Sequence, residues 1–284
     1  MVQRAMLHKI LIPIDDDEIV ERVLDVAAVV AGSAESPPAV EGLYVVSVAG
    51  PTASFWQRLA GMMGVEPIAV PGEVERWFFE RGERLVADAV ERFEREGLKL
   101  DGRIVQGRAL DEVTRRAAGV DLMIVGVGEE RGVAISGQGH LPISHLLRSV
   151  EATVLLVTPT PLSFKGITLA FDGSRGAYCA LRSTGRLASM VGCPVQVVRV
   201  DDGRGEPGPE LAEAVERLAG IGVEASGKLL QGEPAEAILA AAQEAGHDLL
   251  SVGGRRRIAL GGGVIGRVTE ALVDDLGLAV MVSR

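Results

Sequence analysis

The feature that most constrains this chain is an internal repeat. Asp121, Gly126 and Gly139 reappear as Asp248, Gly253 and Gly266, each at an offset of 127, within the matching stretches VDLMIVGVG and HDLLSVGG. Ile-Val-Gln-Gly at 104–107 is answered by Leu-Leu-Gln-Gly at 229–232, and Asp15 by Asp172 at an offset of 157. The first copy therefore carries an insertion of about thirty residues between its second and third strands.

Each copy alternates short apolar runs with segments of helical spacing, the pattern of parallel sheets wrapped by helices. In the first copy the periodicity predicts strands over 8–14, 43–48, 98–105, 121–127 and 153–157. Helices are expected over 18–31, 73–96, 110–118 and 141–149, with 126–139 as a glycine-bearing loop. In the second copy strands are expected over 166–171, 195–200, 223–230, 248–253 and 278–282. Helices run up to Gly192, from about Pro209, and over 268–276. Pro159 and Pro161 mark a linker. The expected fold is α/β, as two doubly wound domains with five-stranded parallel sheets over 1–160 and 161–284, the first with an insertion near 51–72. Of the ten aromatic residues, Phe55, Trp56, Trp77, Phe78 and Phe79 fall in or beside that insertion. The insertion is read as an excursion packed over its own domain, with a lid or partner surface as the competing reading.

Composition narrows the function. The chain has 47% hydrophobic residues but only 4% aromatic, which suits cores of Val, Leu, Ile and Ala. A net charge of -10 argues against nucleic acid as a partner, because phosphate backbones demand a basic face. The excess lies in residues 1–160, which hold 16 basic and 24 acidic side chains. No apolar run is long enough to span a bilayer, and the N-terminus lacks the pattern of a signal peptide, so a cytoplasmic protein without membrane contact is expected. Cys179 and Cys193 sit at opposite ends of one expected helix and are read as unpaired core residues.

Candidate chemistry gathers at strand ends. Asp15-Asp16-Asp17 and Asp172-Gly173-Ser174 each follow a first strand, where α/β sheets collect ligands, although an Asp-Gly-Ser turn also serves as a helix N-cap. The loop from Gly253 to Gly266 has six glycines in fourteen residues and opens a helix, a common way to build an anion site. No Gly-x-Gly-x-x-Gly stands near the start of a dinucleotide-binding unit in either half, and no Walker Gly-Lys-Ser/Thr pattern is present. A metal-binding receiver domain would want an Asp after the third strand and a Lys after the fifth, and neither half supplies them. His8, His140, His145 and His247 are scattered; His140 and His145 could share a helix face, but their spacing of five is off the geometry of a zinc pair. No Ser-His-Asp or Cys-His set has a matching context.

The repeat and these turns resemble the universal stress protein family in its tandem two-domain form. The resemblance is carried by ITLAFDGSRGAYCALRSTGRLA and GEPAEAILAAAQEAGHDLLSVGG in the second half, and by ILIPIDDDEIVERVLDVAA and VDLMIVGVG in the first. It implies an adenine nucleotide alpha hydrolase-like fold with strand order 3-2-1-4-5. It also implies an intramolecular pseudo-dimer through the last strands, and a homodimer as a further assembly. The implied ligand is ATP or AMP, with Mg2+ accompanying ATP. Catalysis would not exceed slow ATP hydrolysis. By the family's pattern, Asp15 and Asp172 face the ribose and adenine, with Pro13, Val48 and Val200 nearby. The family's phosphate loop, Gly-x2-Gly-x9-Gly-Ser/Thr, becomes Gly126-x2-Glu129-x9-Gly139-His140 in the first half and Gly253-x2-Arg256-x9-Gly266-Arg267 in the second. The outer glycines remain, while the inner glycine and the hydroxyl are replaced in both.

Glu129 and Glu130 would repel phosphates where Arg255, Arg256 and Arg257 would attract them, so the second half is the expected nucleotide binder. Two alternatives stand beside this stress-response sensor: a scaffold that binds a protein partner, and a nucleotidyl-transfer enzyme. The latter lacks the Ser-Gly-Gly-x-Asp-Ser loop used by pyrophosphatases of this architecture.

Overall fold

The computed structural model describes residues 7–15, 18–47, 71–128, 132–135, 140–201, 209–254, 266–275 and 277–284. In the first half the elements are β1 (Lys9–Pro13), α1 (Ile19–Gly32), β2 (Ala39–Ser47), α2 (Pro71–Arg95), β3 (Leu100–Gly107), α3 (Ala109–Ala117), β4 (Leu122–Gly126), β5 (Gly132–Ala134), β6 (His140–Pro142), α4 (Ile143–Ser149) and β7 (Thr153–Val157). The second half contributes β8 (Ile167–Ala170), α5 (Arg175–Val191), β9 (Val195–Val200), α6 (Glu210–Ala219), β10 (Ala225–Leu230), α7 (Pro234–Ala245), β11 (Leu249–Gly253), α8 (Arg267–Asp275) and β12 (Ala279–Ser283).

Strand order in the main sheet is β10-β9-β8-β11-β12-β7-β4-β1-β2-β3. Each half thus has the order 3-2-1-4-5 with every neighbour parallel. The two fifth strands meet antiparallel, Val280 opposite Leu156, Met281 opposite Leu155 and Val282 opposite Val154. All six of these side chains are buried.

Side chains alternate along the strands with period two, and this builds two core layers that both cross the seam. Ile10, Ile12, Leu155 and Met281 join the layer under α1, α2, α5 and α6. Leu11, Val154, Leu156, Val280 and Val282 join the layer under α3, α4, α7 and α8. The cores therefore belong to the faces of the sheet, and each is shared by both halves.

The stretch expected as loop between Gly126 and Gly139 contains β5, which pairs antiparallel with β6. Strand β6 takes the residues expected as the first turn of a helix, so His140 lies on a strand and His145 on α4, and the two share no helix face. Pro142 ends the strand and fixes where α4 begins. Beside the insertion, Phe78 and Phe79 pack against the core, whereas Trp77 is 47% exposed and stacks on Arg81. Residues 51–70, Phe55 and Trp56 included, lie outside the described residues. Cys193 is buried and its thiol is pushed up to about 11 by that burial; Cys179 is half-buried, and both are free.

The repeated aspartates Asp121 and Asp248 do the same structural work. Asp121 Oδ2 accepts from the backbone N–H groups of His8 and Lys9 at 2.7 and 3.1 Å, fastening the chain as it enters β1. Asp248 accepts from Ser163 N and Lys165 N at 2.8 and 2.9 Å, fastening the linker as it enters β8. Between those two donors Phe164 is buried with φ of 54°, a left-handed conformation that is rare for a bulky side chain. Removing the Asp248 carboxylate would strand two partly buried N–H groups beside a strained residue. Asp248→Ala should lower stability in urea unfolding by about 3 kcal/mol, and the less buried Asp121→Ala by less. Equal, negligible losses would show that neither clasp matters.

His247 lies over Gly166 with Nδ1 2.9 Å from Thr168 Oγ1, and burial lowers its pKa from the ordinary value of 6.5. The folded state thus prefers neutral imidazole. The unfolded chain takes up the proton first on acidification, so stability is complete above about pH 6.5 and declines as pH falls towards the folded pKa. His247→Gln should flatten that decline in urea titrations run between about pH 7 and 5; an unchanged slope would assign it to other groups.

Candidate functional site

At the carboxyl ends of β8, β9 and β11, between the strands where the order reverses, lies a cleft of about 300 Å³. Such a switch point is where open α/β sheets admit ligands. Phe171, Val198, Val200, Ile238, Val252 and Val268 supply its apolar walls. Asp172, Ser174, Arg199 and Thr269 supply its polar groups, and Gly253 its end.

The polar groups are held by their own neighbours. Asp172, exposed, accepts from Ser174 N at 2.9 Å through Oδ1 and so closes the turn through Gly173. Ser174 is the N-cap of α5 and accepts from Ala177 N at 3.2 Å. The turn is therefore a helix cap whose Asp172 and Ser174 also line the cleft. Thr269, buried, donates to Gly253 O at 3.1 Å and ties α8 to the end of β11. It provides a hydroxyl two positions later than the family's pattern places one, and that hydroxyl is spent on the backbone.

Gly253 is required by packing. A Cβ there would lie 2.3 Å from Gly176 C and 2.6 Å from Ala177 N, backbone atoms at the start of α5. The β11 end and the α5 start thus touch main chain to main chain, which sets the width of the cleft.

Of the residues singled out in the second half, Asp172, Val200 and Gly253 line this one cleft. Gly266 and Arg267 open α8 beside it, Arg267 being exposed. Arg256 lies outside the described residues, as do Arg255 and Arg257. Sequence reasoning had not assigned Arg199, Pro234, Ile238 and Thr269 to the cleft. Pro234, the first residue of α7 behind the N-cap Glu233, was the one with a positional signal.

The first half arranges the same positions differently. Pro13 ends β1, Asp15 follows it at 5% exposure, and Gly126 ends β4. By strand register Leu43, Tyr44 and Val45 correspond to Val198, Arg199 and Val200, so Val45 rather than Val48 answers Val200. Val48 and Gly139 lie outside the described residues, together with Asp16, Asp17, Glu129 and Glu130. Ile19 stands where the second half has Gly176, and a Cβ on Gly126 would meet its Cγ2 at 2.4 Å. Val133 and Ile135, on and beside the β5–β6 hairpin, are buried in the core layer of that face. Ile19 thus takes up room at the end of β4 that Gly176 leaves at the end of β11.

Residues 163–284 match the Universal stress protein family. They carry a domain of that family. A universal stress protein from Archaeoglobus fulgidus DSM 4304 superposes with a TM-score of 0.74 at 15% identity, covering 97% of this chain and 98% of its own. A Pseudomonas aeruginosa PAO1 protein of unknown function does so at 0.60 and 18% identity, covering 98% and 92%. The Archaeoglobus fulgidus universal stress protein in complex with dAMP aligns with 43% of this chain and 98% of its own, at 25% identity and a TM-score of 0.34. No curated protein matches. Over its whole length the chain has the tandem two-domain fold of universal stress proteins.

The glycine contacts give a direct comparison of the two halves. Gly253→Ala drives a methyl into backbone and should cost about 2 to 3 kcal/mol in urea unfolding, whereas in Gly126→Ala the methyl meets the Ile19 side chain and not backbone, and the loss should be smaller. The reverse order would contradict the close approach at Gly253.

Proposed function

We propose that the protein binds an adenine nucleotide, ATP or AMP, in the cleft of its second half, and that it acts as a nucleotide-responsive module of the stress response in the cytoplasm. The observation that carries this reading is the meeting of Asp172, Val198, Val200 and Gly253 in one cleft at the switch point of a universal stress protein domain. The walls of valine and isoleucine suit a flat base, and an exposed carboxylate at the β8 end suits ribose hydroxyls. Phosphates would then reach the rim, where the N-termini of α5 and α8 open. Among the described residues no group of three or more His, Cys, Asp or Glu could hold a metal, so Mg2+ would come with ATP and stay on its phosphates. Among the described residues no helix is long and apolar enough to cross a membrane.

In this reading the domains are residues 1–160 and 161–284, and the first serves as structural partner to the second. Ile19, Leu43 and Tyr44 fill in the first half the positions that Gly176, Val198 and Arg199 hold in the second. Calorimetric titration of the full chain with ATP and with AMP should give one site per chain, with a dissociation constant on the order of micromolar. Asp172→Ala, at an exposed position, should weaken it about tenfold. Gly253→Val with Gly266→Val should abolish it, and Gly126→Val with Gly139→Val should leave it. Two equal sites, or no heat with any adenine nucleotide, would overturn the reading.

A further inference from the structure

One charged residue in the cleft has no counterpart in the first half. Arg199 sits near the end of β9 among valines, in a strand whose other residues are mostly buried. The residue at the same register in the first half, Tyr44, is fully buried beneath α2, with its ring against Gly82. A half-buried arginine in the ligand cleft of a chain with a net charge of -10 calls for a reason.

Its partner is Glu210, the first residue of α6, whose Oε2 accepts from Arg199 Nη1 at 3.1 Å. The two side chains are 25% and 40% exposed, so this pair adds at most about 1 kcal/mol to stability. A carboxylate in the first turn of α6 is also favoured there by the helix dipole alone, without any arginine. Stability therefore does not account for Arg199. The pair does have a defined place: Glu210 Cγ would be 3.9 Å from a Cβ on Gly173, so the guanidinium is held next to the Asp172-Gly173-Ser174 turn, at the opening of α5. The hydrogen bond to Glu210 uses one of five donors, and the planar fork of a guanidinium matches the oxygens of a phosphoryl group.

We propose that Arg199 is the residue that makes this cleft select phosphorylated over unphosphorylated nucleosides, with Glu210 holding the guanidinium at the rim and competing with the ligand for it. The proposal rests on the nucleotide reading of the cleft and adds to it a specific contact and a tether. Binding exchanges the Glu210 acceptor for a phosphoryl oxygen. The tether keeps the arginine extended in the absence of ligand, which reduces the side-chain ordering that binding must supply.

The test is a set of calorimetric titrations of the full chain with adenosine and with AMP. The wild type should prefer AMP by about tenfold, the effect of one charge-assisted hydrogen bond. That preference should shrink as KCl is raised, because the rim is exposed. Arg199→Gln should lose the preference, binding AMP no more tightly than adenosine, and Arg199→Lys should recover part of it. Glu210→Gln should bind AMP about threefold more tightly than the wild type, because the acceptor that competes for the guanidinium is gone, which a merely structural ion pair would not produce. A preference that survives in Arg199→Gln, or equal weakening of AMP by Arg199→Gln and Glu210→Gln, would overturn the proposal and leave the cleft assignment standing. Adenosine and AMP bound equally by the wild type would do the same. Failure of the wild type to bind either probe would remove both the proposal and the reading beneath it.

Discussion

The rest of the structure depends on the antiparallel pairing of β7 with β12. A parallel α/β sheet that stops at its fifth strand leaves a row of backbone groups and two apolar faces uncovered. Here each half closes the other: Leu155 faces Met281 in one core layer, while Leu156 faces Val280 and Val154 faces Val282 in the other. Because both layers run through this seam, a change in one half is felt as packing in the other. Thr153 Oγ1 lies 3.1 Å from Ser183 Oγ of α5, and Arg186 of the same helix reaches to 3.8 Å of Asp121, so α5 is anchored on the first half through its middle and borders the cleft at its N-terminal end.

A tandem repeat frees its two copies to diverge, and these have diverged in the use of space at the strand ends. In the second half glycine meets glycine, the β11 end lies against the α5 backbone, and a cleft with charged groups remains. In the first half Ile19 covers Gly126, Tyr44 lies under the long helix α2, and the β5–β6 hairpin buries Val133 and Ile135 in the core. Among the described residues, the first half thus places Ile19 and Tyr44 where the second has Gly176 and Arg199.

Most of the fold was legible because the signals were local and repeated. Continuous apolar runs such as LMIVG and LLSVG are what doubly buried parallel strands require, and the offsets of 127 and 157 located both copies and the insertion. The β5–β6 hairpin was not legible, since three-residue strands bordered by glycines carry no period and their pairing is a tertiary choice. Asp172 and Gly253 could be named from the strand ends they occupy, and Val200 from the resemblance to the universal stress protein pattern. Arg199 and Thr269 could not: one looks like an ordinary strand residue, and the other stands away from the position where a motif would seek a hydroxyl. Nor did the spacing of glycines reveal that Gly253 is held to glycine by Gly176, a contact between elements about eighty residues apart in the chain.

Hydrogen exchange of the full chain, with and without saturating AMP, tests most directly the central claim that only the second half binds. The account predicts that amides of Phe171 to Ala177 and of Val198 to Val200 become more protected on adding AMP, while those of Ile14, Tyr44, Val45 and Gly126 stay as they were. Added protection at the first-half positions, or none at the second-half ones, would contradict it.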